Sequence, residues 1–116
     1  MTIVQLLIEY LSEQLEDIYV GVEAPKQKTG YVLIDQTGSN TRNHITTTTI
    51  AVQTYGESYL DAMTGNDVVK EVMKGFADLS EVAAVRLETD YNFTNTETKQ
   101  YRWQAVYQIT HYLGGF

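Results

Sequence analysis

The chain of 116 residues contains no cysteine. That absence removes disulfides, thiolate nucleophiles and zinc–thiolate centres from consideration. Histidine is nearly as scarce: His44 and His111 lie far apart, in no metal-ligand spacing. Pro25 is the only proline. Long apolar runs are missing too. The longest, Ile3 to Leu11, is too short to span a bilayer. It lacks a basic leader and is followed by acids, so it does not read as a signal peptide, and no membrane partner is expected. Positive charge is in short supply, with 8 basic against 15 acidic residues and a formal charge of −7. Non-specific nucleic-acid binding depends on neutralising phosphates, and Lys70, Lys74, Arg86 and Arg102 are scattered along the chain.

What remains is ordinary globular material. Apolar residues make up 43% and charged residues 20%, which argues against wholesale disorder. The length suits one domain, residues 1–116, able to build a core without metals or disulfides.

Ile3, Leu6, Leu7, Leu11 and Leu15 recur at helical spacing, so the first segment reads as an amphipathic helix with Thr2 as N-cap. A short strand follows at Ile18–Val22, then the polar segment 25–30. Tyr31–Gln36 reads as a buried strand. Residues 37–44 (TGSNTRNH) read as a long polar loop of the kind that often carries function. Ile45–Tyr55 is rich in β-branched residues and reads as a long strand, its threonine run an extension beyond the core. Ser58 is a candidate N-cap for a second helix, with Asp61 at the capping-box position. Gly65-Asn66 reads there as a kink or a break. Two strands close the chain. Val85, Leu87, Thr89, Tyr91 and Phe93 alternate with Arg86, Glu88, Asp90 and Asn92; Trp103, Ala105, Tyr107 and Ile109 alternate with Gln104, Val106 and Gln108. Residues 95–100 join them as a hairpin, and the tail Gly114-Gly115-Phe116 reads as flexible on composition. The order is α-β-β-β-α-β-β, which predicts an α+β fold: a mostly antiparallel or mixed sheet of about five strands with helices on one face.

Chemistry is thin. Ser12, Ser39, Ser58 and Ser80 sit in no nucleophile-elbow pattern. Asp35, Glu88 and Asp90 are the best carboxylates for acid–base work, against the plainer reading of solvated strand faces; Glu88 and Asp90 are expected on one face. His44 reads as a turn residue or an isolated ligand, and His111 as a half-buried core or interface residue. The glycines make no phosphate-binding fingerprint. No enzyme activity, cofactor or metal is expected. The aromatics concentrate in the last hairpin, at Tyr91, Phe93, Tyr101, Trp103, Tyr107 and Tyr112. Core packing explains them, with Trp103 placed in the core. A protein interface is the sharper reading, and a base-stacking sheet is disfavoured by the charge.

The first helix, the strand and turn YVLIDQTGS, the strand-into-helix ITTTTIAVQTYGES and the closing strand YRWQAVYQITHYL resemble small tail-terminator (tail-completion) proteins of siphophages. The resemblance is one of element order, length and short motifs, over most of the chain. It implies a non-enzymatic virion protein of the tail neck. Such proteins form a ring, usually a hexamer, on the head-proximal end of the tail tube. The ring halts tube polymerisation, joins the head connector and passes DNA through its lumen without specific binding. Another neck protein, for head closure or completion, is the nearest alternative; a small ligand-binding or enzymatic domain is a more distant one. Loop logic then nominates Ser39, Asn40, Arg42 and Asn43 as assembly contacts, ordered between neighbouring subunits. The hairpin tip Asn95–Lys99, with Glu97 and Lys99, is a second candidate.

Overall fold

The computed structural model describes residues 1–26 and 30–112. Gln27–Thr29 of the polar segment and the tail Gly114-Gly115-Phe116 lie outside the described residues. The order is α1 (Ile3–Gln14), β1 (Tyr19–Gly21), β2 (Tyr31–Arg42), β3 (Ile45–Gly56), α2 (Tyr59–Met73), a 3-10 turn (Lys74–Asp78), β4 (Val82–Asn92) and β5 (Tyr101–His111). The fold is α+β, in the expected sequence of elements, with one five-stranded mixed sheet ordered β1-β2-β3-β5-β4. Only β1 and β2 are parallel; the other three pairings are antiparallel.

Both helices start where their side chains can satisfy free backbone N–H groups. Thr2 accepts from the Gln5 amide while Gln5 returns a bond to the Thr2 amide, and Ser58 accepts from the Asp61 amide. Each cap stabilises its helix by about 1 kcal/mol. The helices cover one face of the sheet, α1 over β1 and β2, α2 over β3 and β5. Leu7, Leu11, Val69, Met73 and Phe76 pack there on Val32, Ile34, Ile50, Val52, Tyr107 and Ile109. The opposite face carries Tyr31, Asp35, Thr47, Thr49, Gln53, Tyr55, Arg102, Gln104 and Gln108, as the strand registers require.

Several expectations are corrected. Residues 37–44 are not a loop. β2 runs on to Arg42, paired with β3 as far as Arg42 opposite Ile45. Only Asn43 and His44 turn the chain, both with positive φ (53° and 66°), the signature of a two-residue hairpin turn whose twist matches its strands. The threonine run is not an extension beyond the core either. β3 lies between β2 and β5, and Thr46 and Thr48 are buried beside His111, whose Nε2 is 2.7 Å from the Thr48 hydroxyl. His111 is itself fully buried rather than half-buried.

Third, α2 passes through Gly65-Asn66 without a break. A Cβ on Gly65 would stand 2.8 Å from Thr54 Cγ2, so the glycine lets the helix lie close on β3, while Asn66 is buried and donates to Asp90. Fourth, β4 does not alternate cleanly. A register shift between Leu87 and Thr89 inserts a bulge, which moves later residues to the other face. Val85 and Leu87 point to the helix side, Thr89 and Tyr91 to the uncovered side. Glu88 and Asp90 therefore do not share a face: Glu88 bonds Arg86, and Asp90 turns toward α2. Trp103 is only half-buried, edge-on to Tyr59 and donating to Asp90.

Candidate functional site

A strand of 12 residues rises about 40 Å, so the strands run along the 44 Å axis of a molecule 25 and 24 Å across. This separates the nominated residues. The Asn43-His44 turn closes the end of the sheet where Thr46, His111 and Val82 are aligned. The tip that carries Glu97 and Lys99 closes the end where Thr54, Trp103 and Asn92 are aligned. Ser39, Asn40, Arg42 and Asn43 stay together at the first end, and Glu97 and Lys99 at the second; all six are exposed. The second tip is ordered by its own side chains. Asn95 accepts from the amides of Glu97 and Thr98 and bridges to Gln100, and Lys99 takes positive φ.

The edges of the sheet complete the picture. β1 pairs only with Tyr31–Leu33. Among the described residues, nothing pairs with the outer side of β2 from Ile34 to Arg42, and Asp35–Arg42 are all exposed. After the irregularity between Gln36 and Gly38, this edge has no further bulge and only Arg42 for charge. β4 is the opposite edge.

The uncovered face is a hydrogen-bonded pavement. Tyr31 stacks on Tyr55 at 4.5 Å, and the Tyr55 hydroxyl donates to Gln53. Gln53 donates to Gln104, and Gln104 to the Tyr91 hydroxyl. Thr49 donates to Gln108, and the Thr47 and Thr110 hydroxyls meet at 3.2 Å. Arg102 donates to the Tyr55 hydroxyl and lies 4.3 Å over the Phe93 ring. Burial beside Tyr55 pushes the Tyr31 phenol up, against the lowering influence of Arg102. Asp35 and Glu88 are matched in number by Arg86 and Arg102 on this face, which is therefore close to neutral; most acids sit instead on the helices and turns.

On the helix side, Asp90 is a node. It accepts from Asn66, Lys70 and Trp103 at 3.2–3.3 Å, tying α2 to β4 and β5. Burial lowers the Lys70 pKa, but its bonds to Asp90 and Asp67 outweigh that and leave it above the usual lysine value. Burial, with Asp90 nearby, pushes the Tyr107 phenol far up. Its hydroxyl is buried without a hydrogen-bond partner among the described residues.

A cavity of about 300 Å³ opens beneath α2, lined by Leu15, Ile18, Tyr31, Val32, Val68 and Val69, with Glu57 and Asp61 at its mouth. Its walls are apolar, and none of the nominated serines or histidines lines it. Among the described residues, no three His, Asp or Glu side chains converge as metal ligands. Among the described residues, no helix is long and apolar enough to cross a membrane. Asp35 stands exposed on the pavement and His44 exposed in the turn.

Sequence reasoning missed the bare β2 edge, the glutamine ladder and the Asp90 node. The first had a signal: Asn43 between two polar segments of strand length is a hairpin-turn residue. The other two depend on register and had none. No protein-family model matches this chain, and no curated protein is significantly similar to it.

Proposed function

We propose that this chain is a non-enzymatic structural protein of a phage tail. It forms a ring, a hexamer as in the proteins it resembles, at the head-proximal end of the tail tube, where it stops tube growth and receives the head connector. The observation that carries this reading is the two-ended shape. Two exposed polar hairpin ends lie at opposite extremes of a 44 Å axis, as an adaptor between two different partners needs. One end meets the tube protein and the other the head-completion or connector protein.

The uncovered face suits the lumen. With helices outside, Thr47, Thr49, Gln53, Gln104 and Gln108 line the channel. Their side chains are held in mutual hydrogen bonds, and few cations stand among them. Few cations are there to neutralise phosphates and displace counterions, so DNA slides. The acidic helices add a repulsive outer field that keeps the particle soluble.

The test is negative-stain microscopy of the cognate tail tube protein polymerising with and without this chain. Capped tubes of arrested length are expected. Tubes that grow unchanged overturn the reading, and co-sedimentation with connector-bearing heads alone would place the chain on the head side of the neck.

A further inference from the structure

Taking β2 as running up, β3 runs down, β5 up and β4 down, since each neighbouring pair is antiparallel. A second copy in the same orientation, placed beside the first, therefore brings its upward β2 edge against the downward β4 edge. The sheet continues across the joint as one antiparallel array. β1 covers β2 at Tyr31–Leu33, so the bare stretch offered to the 11-residue β4 is Ile34–Arg42. Proteins that remain single blunt bare edges with charge or bulges; β4 has both, with register shifts at Val82/Ala84 and Leu87/Thr89, whereas the stretch Gly38–Thr41 of β2 has neither.

The helix layer makes the same joint. α1 lies over β1 and β2, and α2 over β3 and β5, so the helix side of β4 is covered mainly by the 3-10 turn and is reached by α2 through Asn66 and Lys70 at Asp90. Leu87 is left 41% exposed there. A hollow of about 300 Å³ lies beside it, its wall including Lys70, Glu71, Lys74, Val85, Leu87 and Tyr107, with Lys74 paired to Glu71 and Lys70 to Asp67 and Asp90. On the far side of the molecule, α1 turns Ile8, Glu9, Ser12 and Glu13 outward. The heights agree. α1 descends toward the start of β1 and α2 climbs from the end of β3, so the helices are antiparallel, and the Tyr10 hydroxyl donates to the Val72 carbonyl at 2.7 Å. With a rise of about 1.5 Å per residue, Glu9 stands level with Lys74 and Glu13 with Lys70.

We infer that copies of this chain join head to tail, β2 edge to β4 edge. The outer face of α1 closes over the hollow beside Leu87 of the neighbour. The inference rests on the ring reading above and names its subunit contact. The interface is heterologous, so repetition closes a ring when the rotation between copies allows it. β-Augmentation supplies backbone hydrogen bonds, and the helix contact covers Leu87.

Engineered cysteines test the joint cleanly, because the chain has none of its own. Asn40, on the uncovered face of β2, is changed to Cys together with Ala84→Cys, Arg86→Cys or Thr89→Cys on the same face of β4. Each variant is oxidised both free in solution and on capped tail tubes, and circular dichroism checks its fold. A ladder of covalent multimers from at least one pair is expected. Capped tubes with no cross-link from any folded pair overturn the interface and leave the tail reading standing. Multimers from a chain that never caps tubes support the interface and remove the tail reading.

Substitution in the helix contact is the second arm. Leu87→Glu, at an exposed position, weakens self-association roughly tenfold and leaves the melting temperature of the subunit unchanged. Unchanged association overturns the helix contact.

Discussion

Tyr107 shows what one buried hydroxyl costs. Its ring sits in the core, but its oxygen is buried with no hydrogen-bond partner among the described residues. Removing such a group relieves a desolvation penalty, so Tyr107→Phe is expected to stabilise the fold by about 1 kcal/mol, measured by urea denaturation. The same residue sets a pH dependence. Its pKa is raised in the folded protein from 10.0, so folding favours the protonated phenol. That contribution is complete below pH 10 and is lost as pH rises above it, because the unfolded chain ionises first. Lys70, also raised, from 10.5, acts in the same direction: its ion pairs stabilise below that value and fade as pH climbs through the folded pKa. Stability is therefore expected to hold from neutral pH to about 10 and to fall beyond it. Tyr107→Phe should fall less steeply. An equal slope in both proteins would show that Tyr107 ionises freely in the fold.

At the scale of elements, close approach and turn chemistry decide. Gly65→Val puts side chain where Thr54 already stands 2.8 Å from the Cβ position. It is expected to cost about 1–3 kcal/mol by lifting α2 off β3, read as a lowered melting temperature. The β2–β3 turn holds His44 at φ 66°. His44→Gly produces the Asn-Gly pair that this turn favours and relieves left-handed strain, for an expected gain of about 0.5–1 kcal/mol. Trp103, half-buried against Tyr59 and bonded to Asp90, should cost about 2–3 kcal/mol on truncation to alanine, less than a fully enclosed tryptophan.

On the scale of the whole molecule, the assembly reading depends on surfaces that do not hold the subunit together. Arg42 is exposed beside the end turn. Arg42→Glu is expected to leave the melting temperature of the subunit unchanged and to impair joining of tails to heads, counted by electron microscopy of infected-cell lysates. Normal joining at normal protein levels would remove this end of the sheet from the contact. The charge distribution works at the same scale. The acids ride on helices and turns while the uncovered sheet is nearly neutral, so added salt should change solubility and encounter rates more than folding.

Much of this architecture follows from local pattern. The helical spacing of Ile3, Leu7 and Leu11, the caps at Thr2 and Ser58, and the β-branched run in β3 specify their elements through interactions a few residues long, and these survive into the structure. What local pattern could not supply is which strand lies beside which. Residues 37–42 look like loop because they are polar, yet they are strand because β3 offers them a partner. The bulge at Glu88 reversed the faces of β4 because register is a property of two strands, not one. The candidate residues follow the same division. Ser39, Asn40, Arg42, Asn43, Glu97 and Lys99 were legible as exposed and polar. That they occupy opposite ends, with a bare edge along β2 and the other edge at β4, is decided by the order β1-β2-β3-β5-β4. Strand order is set by long-range packing of the two helices on one face, and no window of sequence contains it.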